Sequence, residues 1–422
     1  MRRDPWDQAP GIPRGDLRPP LCPDHRGAER EYGQKDFSQR GLEELRSLSA
    51  DRADSAQLST LERLLLGLLA IPSVIGEEED IRVFCEEYLS RVGAEEVVVA
   101  GDNLAFRPRA WTPGKPKLLL LGHLDTVPGQ GANPPRVEGD RIYGLGASDM
   151  KGGDALILEL CKRAVRQEPS VDLSCVLYAR EEGPFEGSGM PEIVEAAPSY
   201  FEDVDLAIAM EPTNGQLELG CLGTMHAEVR IQGKAAHSAR PWLGHNAIQA
   251  AAPLLNALRA LPPREIEFHG LQFHEVLNAT MVSYAGARNV IPASCTLNLN
   301  FRFGPDRSTE EAVSWLKAFV REVLPGEEVD ILIRDICPSG RVCGDNPLLT
   351  RLEAVAEGGL TRRAKQAWTD VGRLSAMGID AINLGPGDTA QAHQKNESCS
   401  RAVLAASRSL FHRFLFDSEA EE

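Results

Sequence analysis

Hydrophobic residues along this chain follow two different periods, and the change of period predicts the architecture. Short, nearly uninterrupted apolar runs recur at 97–100 (VVVA), 118–122 (LLLLG), 173–179 (LSCVLYA), 206–210 (LAIAM) and 381–385 (AINLG). Runs this short, bounded by Gly, Pro and charge, read as strands of a mostly parallel sheet buried on both faces. Helical spacing lies between them, notably at 154–166 and 248–261. It starts at Ser59/Thr60, where Leu61, Leu64, Leu65 and Leu68 share one face beside Glu62. The default architecture is therefore α/β, with helices covering a central sheet. The middle of the chain reads differently. Residues 224–233 and 294–303 alternate polar and apolar residues, as a half-exposed antiparallel sheet does, with helices at 246–261 and 308–324 to cover one face. Helix and buried strand resume after about residue 338, so the chain is expected to leave the first domain and re-enter it. The expected division is 59–222 with 338–422 as one α/β domain, and 223–337 as an inserted α+β domain of antiparallel sheet and two helices.

Residues 1–58 fit neither period. Pro, Gly, Arg, Asp and Gln crowd together with little apolar material before Leu42, so this segment is expected to be a disordered extension. The remainder is ordinary for a folded chain of 422 residues, with 42% hydrophobic and 25% charged residues. The balance of charge changes the picture more: 45 Lys and Arg against 62 Asp and Glu leave a net charge of −17. Such a surface repels phosphate backbones and anionic lipid, which argues against nucleic acid or a membrane as partner. The longest apolar stretch, Leu64 to Ile71, is far short of the ~18 residues a membrane span needs. Nine scattered cysteines without a CxxC pair are an odd number and suit reduced thiols in a cytoplasmic protein. Only Cys337 and Cys343 lie close enough to suggest a local bridge.

Acidic and imidazole groups cluster where the buried runs end. The run LLLLG leads into His123-Leu124-Asp125, which puts His123 and Asp125 on one side of an extended chain at the strand's carboxyl end. Asp149 closes a Gly-rich loop just before a helix, and Gly152-Gly153 allows close backbone approach there. Arg180-Glu181-Glu182-Gly183 follows LSCVLYA, and Glu211-Pro212-Thr213 follows LAIAM. Gly385-Pro386-Gly387-Asp388 leads on to His393. Taken singly, each also fits a plainer reading: a solvent-facing His at a strand end, a helix N-cap at Asp149, an acidic loop at Glu181-Glu182. Together, His123, Asp149, Glu181, Glu182, Glu211 and His393 all follow buried strands or their loops, where chance would scatter them over both sheet edges. A nitrogen and oxygen ligand set with one shared carboxylate fits two Zn²⁺ ions about 3.5–4 Å apart. Of two adjacent carboxylates, one can bind a cation while the other reaches a water beside it.

The segments GHLDTVP, GASDMKGG, EEG and EPT, with the late His393, resemble in content and order the dinuclear zinc amidohydrolases that include aminoacylase, carboxypeptidase G, acetylornithine deacetylase and succinyl-diaminopimelate desuccinylase. The resemblance covers about residues 59–418. Within that family, GCLGTMHAEVRIQGKAAHSARPWLGHNA, RNVIP, LNFRF and WTDVGRLSAMGI look most like the desuccinylase branch. The resemblance implies that His123, Asp149 and Glu211 hold one zinc and Asp149, Glu182 and His393 the other, with Co²⁺ or Mn²⁺ possible in one site. It implies Glu181 as general base, Asp125 as the group that orients His123, and a cis Asp149–Met150 peptide. By the same resemblance 223–337 is a dimerisation domain, and its His237 stabilises the oxyanion in the partner subunit's site, which makes the enzyme a homodimer.

Arg302 and Asn289 match substrate-binding positions of the family, where a guanidinium can take a carboxylate bidentately. Some desuccinylases carry twin arginines where this chain has Cys221-Leu222-Gly223, so Arg240 or Arg373 is expected to supply part of the carboxylate recognition, with Arg288 a further candidate. The implied reaction is hydrolysis of N-succinyl-LL-2,6-diaminopimelate to succinate and LL-2,6-diaminopimelate. The alternatives are another acyl amino acid, as in acetylornithine deacetylation or a carboxypeptidase, and a metal-binding scaffold dimer without catalysis. The presence of both Glu181 and His237 argues against the scaffold.

Overall fold

The computed structural model describes residues 58–129, 134–284 and 286–416. The expected disordered extension, 1–58, lies outside these residues except for Leu58. The first helix among the described residues, Thr60–Leu69, begins where the leucine spacing starts. Ser59 accepts from the Glu62 amide while the Glu62 carboxylate accepts from the Ser59 amide, which satisfies two of the donors a helix start leaves free.

The central sheet has eight strands in the spatial order Glu96–Ala100, Asn103–Arg107, Asp172–Tyr178, Lys117–His123, Leu206–Ala209, Ala381–Asn383, Leu217–Leu219, Arg362–Ala364. Its middle is parallel. Lys117–His123 pairs with Asp172–Tyr178 on one side and Leu206–Ala209 on the other, and Leu206–Ala209 pairs in turn with Ala381–Asn383. These four strands are buried along almost their whole length, which is why their sequences read as unbroken apolar runs. The run at 97–100 was expected in this buried parallel set and is instead an antiparallel edge strand with alternating burial. Its three consecutive valines hid the alternation, because Val97 and Val99 are apolar yet face solvent. Asn103–Arg107 is a fully buried strand that mixed polarity concealed.

The helix Lys151–Arg166 packs across the parallel centre with Leu156, Ile157, Leu158 and Leu160 fully buried. Shortening one such leucine to alanine costs about 2–5 kcal/mol. Gly153 is required at this contact, since a Cβ there would sit 2.5 Å from the Met210 carbonyl oxygen. That close approach brings the helix start against the strand that leads into Glu211.

Residues 223–337 contribute a separate five-stranded antiparallel sheet, ordered Arg264–Phe268, Leu271–Ser283, Ser294–Phe303, Gly223–Gln232, Val329–Cys337. The two strands with strict period two pair with each other over ten residues, from Ser294↔Gln232 to Phe303↔Gly223. The helix Thr309–Val323 begins at a second reciprocal cap, Ser308 with Glu311. The helix expected over 246–261 is broken into Ala247–Ala250 and Ala252–Ala260, because Pro253 has no amide hydrogen to continue the ladder. A small third sheet, Arg136–Glu138, Arg141–Tyr143 and Ser398–Ser400, joins distant parts of the chain. All eight cysteines among the described residues are buried free thiols, so Cys337 and Cys343 form no bridge. No helix among the described residues is long and apolar enough to cross a membrane.

Candidate metal centre

Parallel pairing decides where the chemistry collects. Because the four central strands run in one direction, the residues following each emerge at the same sheet edge. His123 ends its strand directly opposite Tyr178, and Glu181-Glu182 begin three residues after Tyr178. Glu211 follows the neighbouring strand, and the loop after Ala381–Asn383 carries His393. Asp149 arrives by another route, at the end of the loop after Arg141–Tyr143 and just before the long helix. The Asp149–Met150 peptide is cis, as the resemblance implied.

Six of the expected groups meet here. His123, Asp149 and Glu211 each offer a ligand atom within 4.8 Å of the other two, and so do Asp149, Glu182 and His393. Asp149 belongs to both sets. Its Oδ1 lies 3.2 Å from His123 Nε2 and its Oδ2 lies 3.6 Å from His393 Nε2, so its two oxygens face the two clusters separately. His393 Nε2 is 2.8 Å from Glu182 Oε1. Glu181 lines the same cavity, and its carboxylate also groups with His123 and Glu182.

The electrostatics of this cluster are those of a cation site. Burial pushes the Glu211 carboxyl up to about 7, with the Asp149 charge adding to the effect. Burial likewise raises Glu181 well above the carboxylate range and raises Glu182. Burial opposes a charged His123, yet its hydrogen bond to Asp149 and the charges of Asp125 and Glu181 prevail and hold its pKa well above the usual histidine value. Four carboxyl groups and two imidazoles thus share a confined space in which protons take up the excess negative charge. Divalent cations fit that donor set and would displace those protons.

Asp125 is fully buried, but its carboxylate does a different job from the one expected. The group in hydrogen-bond range of His123 Nδ1 is the Asp125 backbone carbonyl, at 3.1 Å, while the nearest carboxylate oxygen is 3.6 Å away. The carboxylate instead accepts from the backbone N–H of Glu181, at 3.0 Å, and of Glu182, at 2.9 Å. One residue therefore orients the imidazole through its main chain and the adjacent glutamates through its side chain.

The cavity over the cluster has a volume of about 380 Å³. Arg302 lines it, together with Thr224, His226, Lys365 and Trp368, which the sequence reading did not single out. His226 was legible in principle, since it occupies the polar phase of a period-two strand beside Arg302. Lys365 had no local signal: its ammonium is buried against Glu218 Oε2 at 2.9 Å and becomes part of the site only through the pairing of Arg362–Ala364 with Leu217–Leu219.

The other expected substrate-binding groups stand apart. Arg373 donates to Asp370 Oδ1 at 2.9 Å and to the Phe185 carbonyl at 3.0 Å, and its guanidinium stacks 3.8 Å from the Phe185 ring. Asp370 also accepts from the Tyr178 hydroxyl. Arg373 is thereby tied to the loop after Glu182, and it does not line the cavity. His237, Asn289 and Arg240 are exposed on the insert. They adjoin one another, with the Ser238 amide donating to the Asn289 carbonyl and the Arg240 amide to the His237 carbonyl, but none lines the cavity of this chain.

Comparison with known proteins agrees with this geometry. The sequence model of peptidase family M20/M25/M40 matches residues 119–417. The succinyl-diaminopimelate desuccinylase of Corynebacterium glutamicum is 36% identical over 334 residues, which is 79% of this chain and 89% of that protein. A Mycobacterium tuberculosis protein named provisionally for the same enzyme is 37% identical over 352 residues, 83% of this chain and 97% of its own length. Among solved structures, a tripeptidase from Staphylococcus aureus superposes with a TM-score of 0.69 at 21% identity, covering 84% of this chain and 96% of that one. An M20 family metallo-carboxypeptidase from Sulfolobus solfataricus gives 0.68 at 18% identity, covering 85% and 98%. With its hydrolase relatives matched over nearly their full length and its acidic cluster at the sheet edge, the chain belongs to peptidase family M20/M25/M40.

Proposed function

We propose that this enzyme hydrolyses N-succinyl-LL-2,6-diaminopimelate to succinate and LL-2,6-diaminopimelate in the cytoplasm, using two zinc ions, with Co²⁺ or Mn²⁺ able to occupy one site. His123, Asp149 and Glu211 would hold one ion and Asp149, Glu182 and His393 the other. When bound, the ions supply Lewis acidity and a water acidified toward neutral pH. Glu181 would take a proton from the attacking water and return it to the leaving amine, a task suited to a carboxyl whose burial raises its pKa. Asp125 keeps Glu181 aimed by holding its backbone amide. His237 of the partner subunit would stabilise the developing oxyanion, with residues 223–337 forming the interface of a homodimer.

The observation that carries the substrate assignment is Arg302. It lines a cavity crowded with carboxylates, yet among the described residues no carboxylate lies within ion-pair distance of it. Its one described hydrogen bond is from Nε to Asn300 Oδ1 at 3.1 Å. A half-buried guanidinium left with free N–H groups is suited to an incoming carboxylate, and a succinyl group carries one where an acetyl group does not. The names of the relatives favour the same acyl group. The test is hydrolysis of N-succinyl-LL-diaminopimelate beside N-acetylornithine at matched concentrations by metal-loaded protein, with a chelator control. A strong, chelator-sensitive preference for the succinyl substrate is expected. Preference for acetylornithine would retain the site and replace the substrate.

A further inference from the structure

We infer that Glu397 is a positioning residue that fixes two of the proposed metal ligands, Asp149 and His393, relative to each other. The inference rests on the ligand roles proposed above and adds a residue that the sequence motifs left unused.

The argument begins with the small sheet. Arg141–Tyr143 pairs antiparallel with Ser398–Ser400, with Ser398 opposite Tyr143. In an antiparallel pair the chain leaving one strand departs at the same end at which the other arrives. Asp149 lies six residues beyond Tyr143, and His393 lies five before Ser398, so this pairing brings together groups separated by more than half the chain. Pairing alone sets only the end of the ladder, and both segments beyond it are loops. Glu397 stands where they meet. It is 3% exposed. Its Oε2 accepts from the Gly146 amide at 2.8 Å, and its Oε1 accepts from the Ser148 and Asp149 amides, both at 2.9 Å. Its own carbonyl accepts from the Gly144 amide at 3.1 Å, and its amide donates to the Gln394 carbonyl at 3.1 Å.

One carboxylate therefore gathers three amides of the loop that ends in Asp149, including the amide of Asp149 itself. Three charge-assisted bonds on one side chain leave the loop little freedom to rotate Asp149 away from the cluster. Gly146, at φ +84°, supplies the left-handed turn that points its amide inward. Ser148 adds a second tie, donating through Oγ to the Ser398 carbonyl at 2.9 Å and accepting from the Asp388 amide at 3.0 Å. Asp388 belongs to the loop that carries His393. Both loops are thus bound to one another through Glu397 and Ser148, and these bonds hold the two ligands in place beside their own 3.6 Å approach. Groups that orient ligands in this way affect metal affinity by about 10–100-fold when removed.

The test compares Zn²⁺ affinity of the wild-type chain and of Glu397→Gln by competition with a fluorescent chelator, starting from metal-stripped, folded protein. Replacing one carboxylate oxygen by an amide sets a donor against the loop's donors. Zn²⁺ is expected to bind about 10–100-fold more weakly at one or both sites, and activity lost at limiting Zn²⁺ is expected to return at excess Zn²⁺ with KM unchanged. A merely structural role would lower the folded fraction without giving rescue by metal. If Glu397→Gln does not accumulate as folded protein, Glu397→Asp, which keeps the charge but shortens the reach, is measured in its place with the same expectation. Affinities within twofold of wild type in the folded variant would overturn the positioning role while leaving the ligand assignment standing. A wild-type chain that takes up fewer than two ions would instead overturn the ligand assignment, and this inference with it.

Discussion

The two regions that bear the candidate chemistry are finished to different degrees. At the edge of the central sheet most of the groups are tied within the chain: Asp125 holds the Glu181 and Glu182 amides, Asp149 faces two histidines, His393 meets Glu182, and Glu397 holds the Asp149 loop. On the insert, His237, Asn289 and Arg240 are exposed, and Met281, Val282 and Tyr284 nearby leave apolar surface open to solvent at 70%, 66% and 61%. The contrast teaches that one chain by itself brings the candidate metal ligands together, whereas His237, Asn289 and Arg240 stay at an exposed surface of the insert, away from that cavity, and contribute to it only under the proposed pairing of two subunits.

The most severe way to break that comparison is to disable each half in a different subunit. Glu181→Ala is expected to lower kcat by about 10²–10⁴-fold while metal content stays normal. His237→Ala is expected to lose about 10²–10³-fold, as removal of an oxyanion-stabilising donor does. Mixed and reassembled, the two inactive variants should regain about a quarter of wild-type activity, because half of the dimers are mixed and each then holds one complete site. No recovery on mixing would place His237 outside the partner's site.

A smaller effect separates two arginines that the sequence treats alike. Arg302→Met is expected to raise KM for the succinyl substrate about 10–100-fold, the loss of a charged hydrogen-bonded contact, with the melting temperature nearly unchanged. Arg373→Met should do the reverse. It leaves buried Asp370 without its cation and should cost about 3–5 kcal/mol of stability, seen in denaturant unfolding, with KM little altered in the protein that remains folded. Equal KM effects would mean that Arg373 also reaches substrate.

The smallest signal reads the cluster's charge directly. Burial pushes the Glu211 carboxyl up to about 7, so part of the metal-free chains carry protons there at neutral pH. Metal loading must expel them, so titration of stripped protein with Zn²⁺ at pH 7 should release about one proton or more per chain. Release should grow, and metal affinity fall, as pH drops below 7, because more of these groups are then protonated. Calorimetry in buffers of different ionisation enthalpy measures the release, and an absence of release would mean that the cluster is already ionised.

Much of this was legible in the linear chain. Unbroken apolar runs are what strands buried on both faces require, and period two is what a half-exposed sheet requires, so the four central strands and the alternating segments 224–233 and 294–303 could be read directly. The ligand candidates could be read because each follows such a run. The edge strand at 96–100 could not, since its solvent-facing positions are also valine. The break at Ala251 was not expected from the helical spacing, although Pro253 lacks the amide hydrogen that a continuous helix would need there.

By itself, then, the sequence determined the local elements, their caps, and the set of acidic and imidazole groups placed after buried strands, because each depends on neighbours within a few residues. The tertiary structure decided what those groups face. Parallel pairing brought His123, Glu182 and Glu211 to one edge, and the Tyr143–Ser398 register brought Asp149 to His393. Packing turned Arg373 toward Asp370 while leaving Arg302 free, and it enlisted Glu397 and Lys365, whose positions in sequence carry no hint of the groups they touch. The physical reason is the same in each case: hydrogen bonds and charge interactions act over a few ångströms in space, and only the folded register specifies which distant residues come within that range.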